Sequence, residues 1–581
     1  MATFAPGSVK TNGRWFGPID RQLLGWHTSA MGRLSSHGAV IAPPIGYEYA
    51  AAHRTLRVLA EQLAGRGWSV LRVDYDGTGD SAGDQLDPER VRHWRSSIGA
   101  ACDEVRLLGA ESVCLIGAQV GGAFALLEAD GVKADQVVLW DPMLDGRRFV
   151  RAMHLLGEET PRDSGDAPVV IRAGTAFDEQ TQDDLRMIRL TRMQTAPVGR
   201  ILVVDRGDEP ECIDLVNRML ELGASVDHLM VPGTAEALDQ PAEYAVVAGA
   251  AIDAIIDWLG EVRPSSIDVG APDSLASPPP SQARTVMTVG STRLVEEIVT
   301  LAPEGLVGIL TSPIGPSPAT VVWLNAGSEP HIGPGRVWVE FSRSLALRGY
   351  ASLRLDFSGW GESPDLGHDP GRPYDHHGIA EVVSAVRALR GCGHRRVLVA
   401  GLCAGAWLAL RAPQVTSVDG VIAINPQLYW QEGDPSEANI ERETRHRRES
   451  EIDYFFWGRS TGLWAALERL GADHPVDAWL DNLRVSGCPT LTVFAEGDDG
   501  LEFLNDRVAT SWNRFRDTRS NETVVVPGLD HSMHRRWLRV KVVEEIAAFL
   551  DRRIGEPIDL DHIQEDVPVR RSDAAENPTR A

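Results

Sequence analysis

Arg396-Val-Leu-Val-Ala-Gly-Leu-Cys-Ala-Gly-Ala-Trp-Leu-Ala-Leu410 passes from a β-branched and aliphatic run into a helix-forming run through Gly401-Leu-Cys-Ala-Gly405. The string has the form of a nucleophile elbow, G-x-Nuc-x-G, with cysteine where serine is more usual. A turn this tight between strand and helix needs small flanking residues, and Gly401, Ala404 and Gly405 supply them. A cysteine placed there sits at a helix N-terminus, where the dipole favours a thiolate. A buried structural cysteine in a glycine-rich turn fits the same string. The rest of the chain has to separate the two readings.

The chain has 581 residues, with 43% hydrophobic and 24% charged, ordinary for a globular protein of two to four domains. No apolar run reaches the ~20 residues of a membrane span. Residues 1–25 lack the charged-then-apolar pattern of a signal peptide. Six cysteines with no CxxC pair give neither a disulfide framework nor a zinc signature, so a reducing cytoplasm is the expected location. The net charge of −25 argues against nucleic-acid binding and against an anionic membrane face. Basic clusters at 442–448 and 534–541 read as solvated helix faces, or as docking points for an acidic partner or a phosphate-bearing substrate.

Residues 263–285, rich in Pro and Ser, read as a linker. The halves on either side repeat each other. Leu63 to Ser81 (LAGRGWSVLRVDYDGTGDS) matches Leu345 to Ser363 (LALRGYASLRLDFSGWGES). Ser112 to Gly121 matches Arg396 to Gly405, Val138 to Pro142 matches Ile422 to Pro426, and Leu202 to Asp208 matches Thr492 to Asp498. Val231 to Glu236 matches Val526 to His531. Short apolar strands alternating with helices imply right-handed βαβ units and a mostly parallel sheet in each half.

On these ordered motifs each half resembles an α/β-hydrolase domain of the serine-aminopeptidase or lipase-like branch. Pro43 to Tyr49 (PPIGYEY), followed by His53-Arg54, is also similar to hydrolase-like proteins of exopolysaccharide and natural-product gene clusters. The resemblance implies two tandem α/β domains, each a mostly parallel sheet flanked by helices with a helical cap insert. Their expected extents are 1–262 with a cap at about 143–198, and 286–554 with a cap at about 427–486, followed by a disordered tail at 555–581. The second cap's aromatic residues, Trp430 and Trp457 among them, could line an acyl-binding wall or form the cap's own core.

The family's catalytic residues run nucleophile, acid, histidine. The positions that match are Cys403, Asp498 and His531, with Asp499 adjacent as an alternative acid. An imidazole can draw the proton from a thiol, and a carboxylate holds the imidazole in the useful tautomer. The resemblance places one oxyanion donor at Ala404 and a second in the Asn325–Gly335 loop, at Ala326 or Gly327, where the family usually has His-Gly. His331, odd in so glycine-rich a loop, and Trp360 are candidate substrate contacts. His534 lies past the Val-Pro-Gly-x-x-His pattern and reads as the start of a surface helix. The first half has Gln119 at the nucleophile position and Glu236 at the histidine position, with only Asp208 in place. It reads as a pseudo-enzyme, and that contrast favours a catalytic Cys403 over a structural one.

A thiolate nucleophile gives an acyl-thioester, more reactive toward amines and thiols than an oxyester. The expected activity is an acyltransferase or thioesterase of secondary metabolism. Its donor would be a small-molecule acyl thioester on coenzyme A or a carrier protein, by resemblance. A cysteine-dependent esterase or amidase, and a non-catalytic scaffold, are the alternatives. No metal or organic cofactor is implied, since the chain lacks a phosphate-binding Gly-rich loop and a ligand cluster.

Overall fold

The alternating apolar segments build two large sheets, one in each half of the chain. The structure, a computed structural model, describes residues 9–30, 35–161, 169–207, 210–240, 242, 244–260, 282–368, 373–429 and 475–555. The first half contributes β1 (Val9–Phe16), β2 (Leu23–Ala30), β3 (His37–Ala42), β4 (Ser69–Val73), β5 (Ser112–Ala118) and β6 (Gln136–Trp140). A small antiparallel sheet follows, of β7 (Glu158–Glu159), β8 (Val170–Arg172) and β9 (Thr175–Phe177). The half closes with β10 (Arg200–Asp205) and β11 (Ser225–Met230). The second half contributes β12 (Arg284–Val289), β13 (Thr292–Leu301), β14 (Leu306–Pro313), β15 (Thr320–Trp323) and β16 (Ala351–Leu355). It continues with β17 (Val397–Leu402), β18 (Gly420–Ile424), β19 (Thr490–Ala495) and β20 (Asn521–Val526).

The first sheet runs β1-β2-β4-β3-β5-β6-β10-β11 and the second runs β12-β13-β14-β16-β15-β17-β18-β19-β20. Apart from the extra edge strand β12, the orders are the same. Each sheet begins antiparallel and is parallel thereafter, joined through helices on both faces. This is the α/β-hydrolase fold, formed twice. In such sheets the site lies where connections cross over at the carboxyl ends of the parallel strands.

Both faces of the parallel strands are buried, which is why they read as continuous apolar runs without alternation. On one face of the second sheet Trp323 and Trp338 stack with centroids 4.5 Å apart, both fully buried. The antiparallel strands behave differently. In β12 only Thr285 and Met287 are buried, a period of two that the Pro/Ser-rich composition upstream conceals. The linker expected over 263–285 therefore ends earlier. Arg284 and Thr285 are already paired with β13, and the Trp15 N–H donates to the Gln282 carbonyl at 2.9 Å.

The halves meet along an apolar seam in which Trp15, Leu24 and Trp26 pack with Met287, Leu294 and Ile309. Beside it, the repeated loops after β4 and β16 exchange ion pairs. Arg72 forks onto Glu362 at 2.9 and 2.5 Å, and Arg354, its counterpart, binds Asp80, the counterpart of Glu362, at 2.8 Å. All four side chains are buried.

The segments expected as caps lie between β6 and β10 and between β18 and β19. In the first, the helix Gly146–Leu156 precedes the β8–β9 hairpin. Of the second, Gln427–Tyr429 and the helix Pro475–Ser486 are described. Trp430, Trp457 and the basic cluster at 442–448 lie outside the described residues, as does the expected tail beyond 555.

Candidate active site

Cys403 stands between β17 and the helix Ala404–Arg411, at φ 57° and ψ −117°. A side chain in this region of backbone space is strained, and such strain persists only where the surroundings enforce it. Here the glycines do so. A Cβ on Gly401 would lie 2.2 Å from the carbonyl carbon of Gly405, and one on Gly405 would lie 2.7 Å from the carbonyl oxygen of Asn325. The chain can turn this sharply only with hydrogen at both positions. The turn lifts the half-exposed thiol to the carboxyl edge of the sheet.

The second element is the loop after β20. His531 Nδ1–H donates to Asp498 Oδ2 at 2.7 Å. The other oxygen of Asp498 caps the helix Asp499–Asp506 by accepting from the Gly500 N–H at 3.0 Å. Asp498 is buried, whereas Asp499 lies in the first turn of that helix and faces solvent. Of the two carboxylates left open by the sequence, Asp498 is the one on the ring. Asn425 steadies the loop from β18, donating Nδ2–H to the His531 carbonyl at 2.7 Å. Burial disfavours a charged His531. The Asp498 hydrogen bond, and then the Cys403 sulfur beside the ring, outweigh it and raise the pKa to about 10. His531 Nε2 is buried and makes no hydrogen bond among the described residues. The thiol instead donates to Gln427 Oε1 at 3.2 Å, and the Tyr374 hydroxyl donates to the same oxygen at 2.9 Å.

Cys403, Ala404, Ala326, Gly327, His531, Gln427 and Tyr374 line one cavity of about 400 Å³. The volume suits a small organic ligand. Asn325 holds the Ala326–Gly327 loop, accepting from the Phe357 N–H at 2.9 Å and donating to the Glu329 carbonyl at 2.9 Å.

Other expected site residues lie elsewhere. His331 is 3% exposed and lies between two carboxylates, Nδ1 at 2.6 Å from Asp356 and Nε2 at 2.6 Å from Asp80 of the first half. With both ring nitrogens taken, it is a bridge between the halves rather than a substrate contact. Trp360 is 8% exposed and is outside the cavity; its indole N–H donates to the Gly327 carbonyl at 3.0 Å, bracing the loop from behind. His534 is half-buried and lines the cavity, and the final helix begins two residues later, at Arg536.

In the first half Gln119 occupies the elbow at φ 50° and ψ −117°. Its amide donates to Asp239 at 2.8 Å, so the carboxylate facing the elbow is Asp239 and not Glu236. Arg206 ties Asp239 to Asp141. Asp208 lies outside the described residues. A Cβ on Gly121 would meet the carbonyls of Ala42 and Pro43, as one on Gly405 meets those of Leu324 and Asn325. Pro44 is thereby the counterpart of Ala326, and proline has no N–H to offer an oxyanion. The signal was present in the aligned loops, in Pro43-Pro-Ile set against Asn325-Ala-Gly. Gln427 and Tyr374 gave no such signal, since neither belongs to a motif of fixed spacing.

Residues 321–541 match the model of the alpha/beta hydrolase family. The second half is thus an enzyme domain of hydrolase fold. Comparison with the curated proteins finds no match. Among solved structures the chain is similar to Est1E from Butyrivibrio proteoclasticus with ferulic acid bound, at 15% identity and TM-score 0.34, over 42% of this chain and 97% of that one. An esterase of Pyrococcus furiosus is similar at 18% identity and TM-score 0.32, over 45% and 92%. A dienelactone hydrolase from Anabaena variabilis is similar at 16% identity and TM-score 0.30, over 47% and 99%.

Proposed function

We propose that the protein is an acyl-transfer enzyme that forms an acyl-enzyme on Cys403 from a thioester or activated ester. The observation that carries the reading is one cavity holding both a strained elbow thiol and an Asp498-bound histidine. The strain is not itself the mark of chemistry, since Gln119 shares it; the elbow here presents a thiol in the same cavity as a histidine held by a carboxylate.

The raised pKa of His531 keeps the ring charged at neutral pH, as a partner for a thiolate. The Cys403 sulfur attacks the acyl carbonyl, an S–C bond forms, and the oxyanion is met by the backbone N–H of Ala404 and that of Ala326 or Gly327. As the tetrahedral species collapses, the bond to the leaving group breaks and that group takes the proton from His531 Nε2. The neutral imidazole then accepts a proton from an incoming amine, alcohol, thiol or water. That nucleophile takes the acyl group, and the thiolate–imidazolium pair returns. Pairing with Nε2 requires the sulfur to give up its hydrogen bond to Gln427.

A carrier protein or coenzyme A is the proposed donor, and an acylated metabolite the proposed product. Incubating the enzyme with an acyl thioester, with and without an amine or alcohol acceptor, tests transfer against hydrolysis. An acylated acceptor is expected. Free acid alone at saturating acceptor would leave a thioesterase or esterase.

A further inference from the structure

The cavity at Cys403 is closed on its far side by the half that has lost its own nucleophile. From the first half, Ile45, Tyr47, Ala50, Trp94, Thr175 and Tyr244 face into it. None of the residues this half contributes to the lining is charged. Ile45, Tyr47 and Ala50 come from the loop and first turn after β3, Trp94 from the helix Arg90–Leu107, Thr175 from the β8–β9 hairpin, and Tyr244 from the segment between the helices Thr234–Leu238 and Gly249–Leu259.

The hairpin is built to reach across. Its turn, Ala173-Gly174, has φ 47° and φ 80°, the two positive angles of a type I′ turn. That turn lands on the second half's loop with no room to spare. A Cβ on Gly174 would lie 3.0 Å from Gly335 Cα, and one on Gly335 would lie 2.6 Å from Gly174 Cα. Three anchors hold the hairpin in that position. Arg172 pairs with Glu48 at 2.6 Å, the Ala176 N–H donates to Gln85 Oε1 at 2.9 Å, and Phe177 packs edge-on against Trp94. Gln85 also donates toward the Gly335 carbonyl at 3.4 Å. The wall is fixed on both sides of the seam, so its shape is set before substrate arrives.

We propose that the first half is the substrate-recognition half of the Cys403 site. Its hairpin caps the neighbouring domain's cavity and receives the remote end of a neutral, apolar or aryl acyl group. This rests on the reading of Cys403 as the acylated residue. A wall of Ile, Tyr, Trp and Ala side chains gives area for apolar contact, and the Thr175 hydroxyl can meet a ring or chain oxygen. A carboxylate or phosphate at that end would lose its water without gaining an opposite charge from this wall, and Arg336, which also lines the cavity, is engaged by the carbonyls of Gly79, Ser81 and Gly83.

Two readouts test the proposal on the full chain. The first is kcat/KM for p-nitrophenyl acetate, octanoate, phenylbutyrate and the monosuccinate, with Thr175→Phe and Ala50→Phe filling the wall from two separate elements. The ratio of the phenylbutyrate rate to the acetate rate is expected to fall about tenfold or more in both variants, and the anionic ester to be disfavoured by a similar factor. Unchanged ratios in both variants would overturn the role of the wall, and equal use of the anionic ester would overturn the substrate class. A cooperative melt at wild-type temperature shows that each variant is folded. The second readout is calorimetric binding of 4-phenylbutyramide to Cys403→Ala, with and without Thr175→Phe. Binding weakened by Thr175→Phe is expected; no binding, or binding unaffected by the substitution, would overturn the proposal. If no ester acylates Cys403 while the amide binds and Thr175→Phe weakens it, the wall stands and the cysteine chemistry fails.

Discussion

Cys403 and Gln119 share one backbone conformation, φ 57° against φ 50° with ψ −117° in both, though only the thiol has nucleophilic chemistry to offer. The elbow therefore outlives its chemistry. Its glycines are demanded by the close approach of strand, helix and neighbouring loop, and that demand holds in either half. Gln119→Cys in a Cys403→Ala background should form no acyl-enzyme, because Asp239 rather than a histidine meets the elbow side chain and Pro44, the counterpart of Ala326, has no N–H. Intact-mass analysis after incubation with an acyl thioester checks this; an adduct on the new cysteine would contradict it.

The Asp498–His531 pair predicts a second outcome. Asp498→Asn keeps a hydrogen-bonding group of the same size but removes the charge that favours the imidazolium. The rate of acyl transfer should fall by about a hundredfold or more. Because the histidine pKa is raised, the charged ring is present below about 10 and lost above it. For an anionic reagent, which the imidazolium attracts, the fall of the Cys403 alkylation rate with loss of the ring's charge should lie near that pH in the wild type and move down in the variant. Rates of iodoacetate labelling across pH, with neutral iodoacetamide as the control, test this, and an unmoved limb would contradict it.

His331 makes stability depend on pH. Burial lowers its pKa, but Asp356 and Asp80 outweigh that and hold it well above 6.5. Arg354 and Arg343 also face this cluster, donating to Asp80 and to Glu296. A group whose folded pKa is raised stabilises fully below its unfolded value, near 6.5, and loses that contribution as pH rises through the folded value. The buried carboxylates Asp356 and Glu362, with lowered pKa values, give stability that is lost as pH falls. Urea unfolding should therefore show a maximum near pH 5–7 that declines on the alkaline side. His331→Gln should remove much of that decline and cost about 3 kcal/mol by leaving Asp356 without its cation and Asp80 with Arg354 alone.

The crossed ion pairs hold the halves together. Breaking one of them by Arg354→Met leaves Asp80 and Glu296 short of a cation in a buried site, at a cost of about 3–5 kcal/mol. Loss is expected in the cooperative transition of the whole chain, since the apolar seam couples both halves. A first-half transition left untouched in calorimetry would contradict that coupling.

Much of this was legible in the chain. The repeat gave the fold because the parallel strands are buried on both faces and so keep their apolar runs in both copies. The elbow, Asp498 and His531 were legible because each follows a strand end at a spacing the fold constrains. The antiparallel strands were harder: β12 alternates beside proline-rich sequence, and β1, β2 and β13 are buried over only part of their length, which leaves no continuous apolar run. His331 was misplaced because a histidine in a glycine-rich loop looks exposed until its two carboxylate partners, one 251 positions away, are known. In the wall contributed by the first half, Ile45 to Tyr49 fall within the PPIGYEY string, but nothing in that string shows that it faces the other half's site, and the hairpin residues carry no motif; the packing of Gly174 against Gly335 brings them there.

Mass spectrometry of the protein trapped with acyl donors tests the central claim most directly. Burial pushes the thiols of Cys102 and Cys488 up to about 12 and that of Cys114 higher still, and Cys212 is buried, which leaves Cys403 and the exposed Cys392 as the accessible sulfurs. The account predicts one acyl group on the peptide containing Cys403, absent in Cys403→Ala and discharged by an acceptor amine. An unmodified Cys403 under turnover conditions, or acylation spread equally over Cys392 and Cys403, would contradict it.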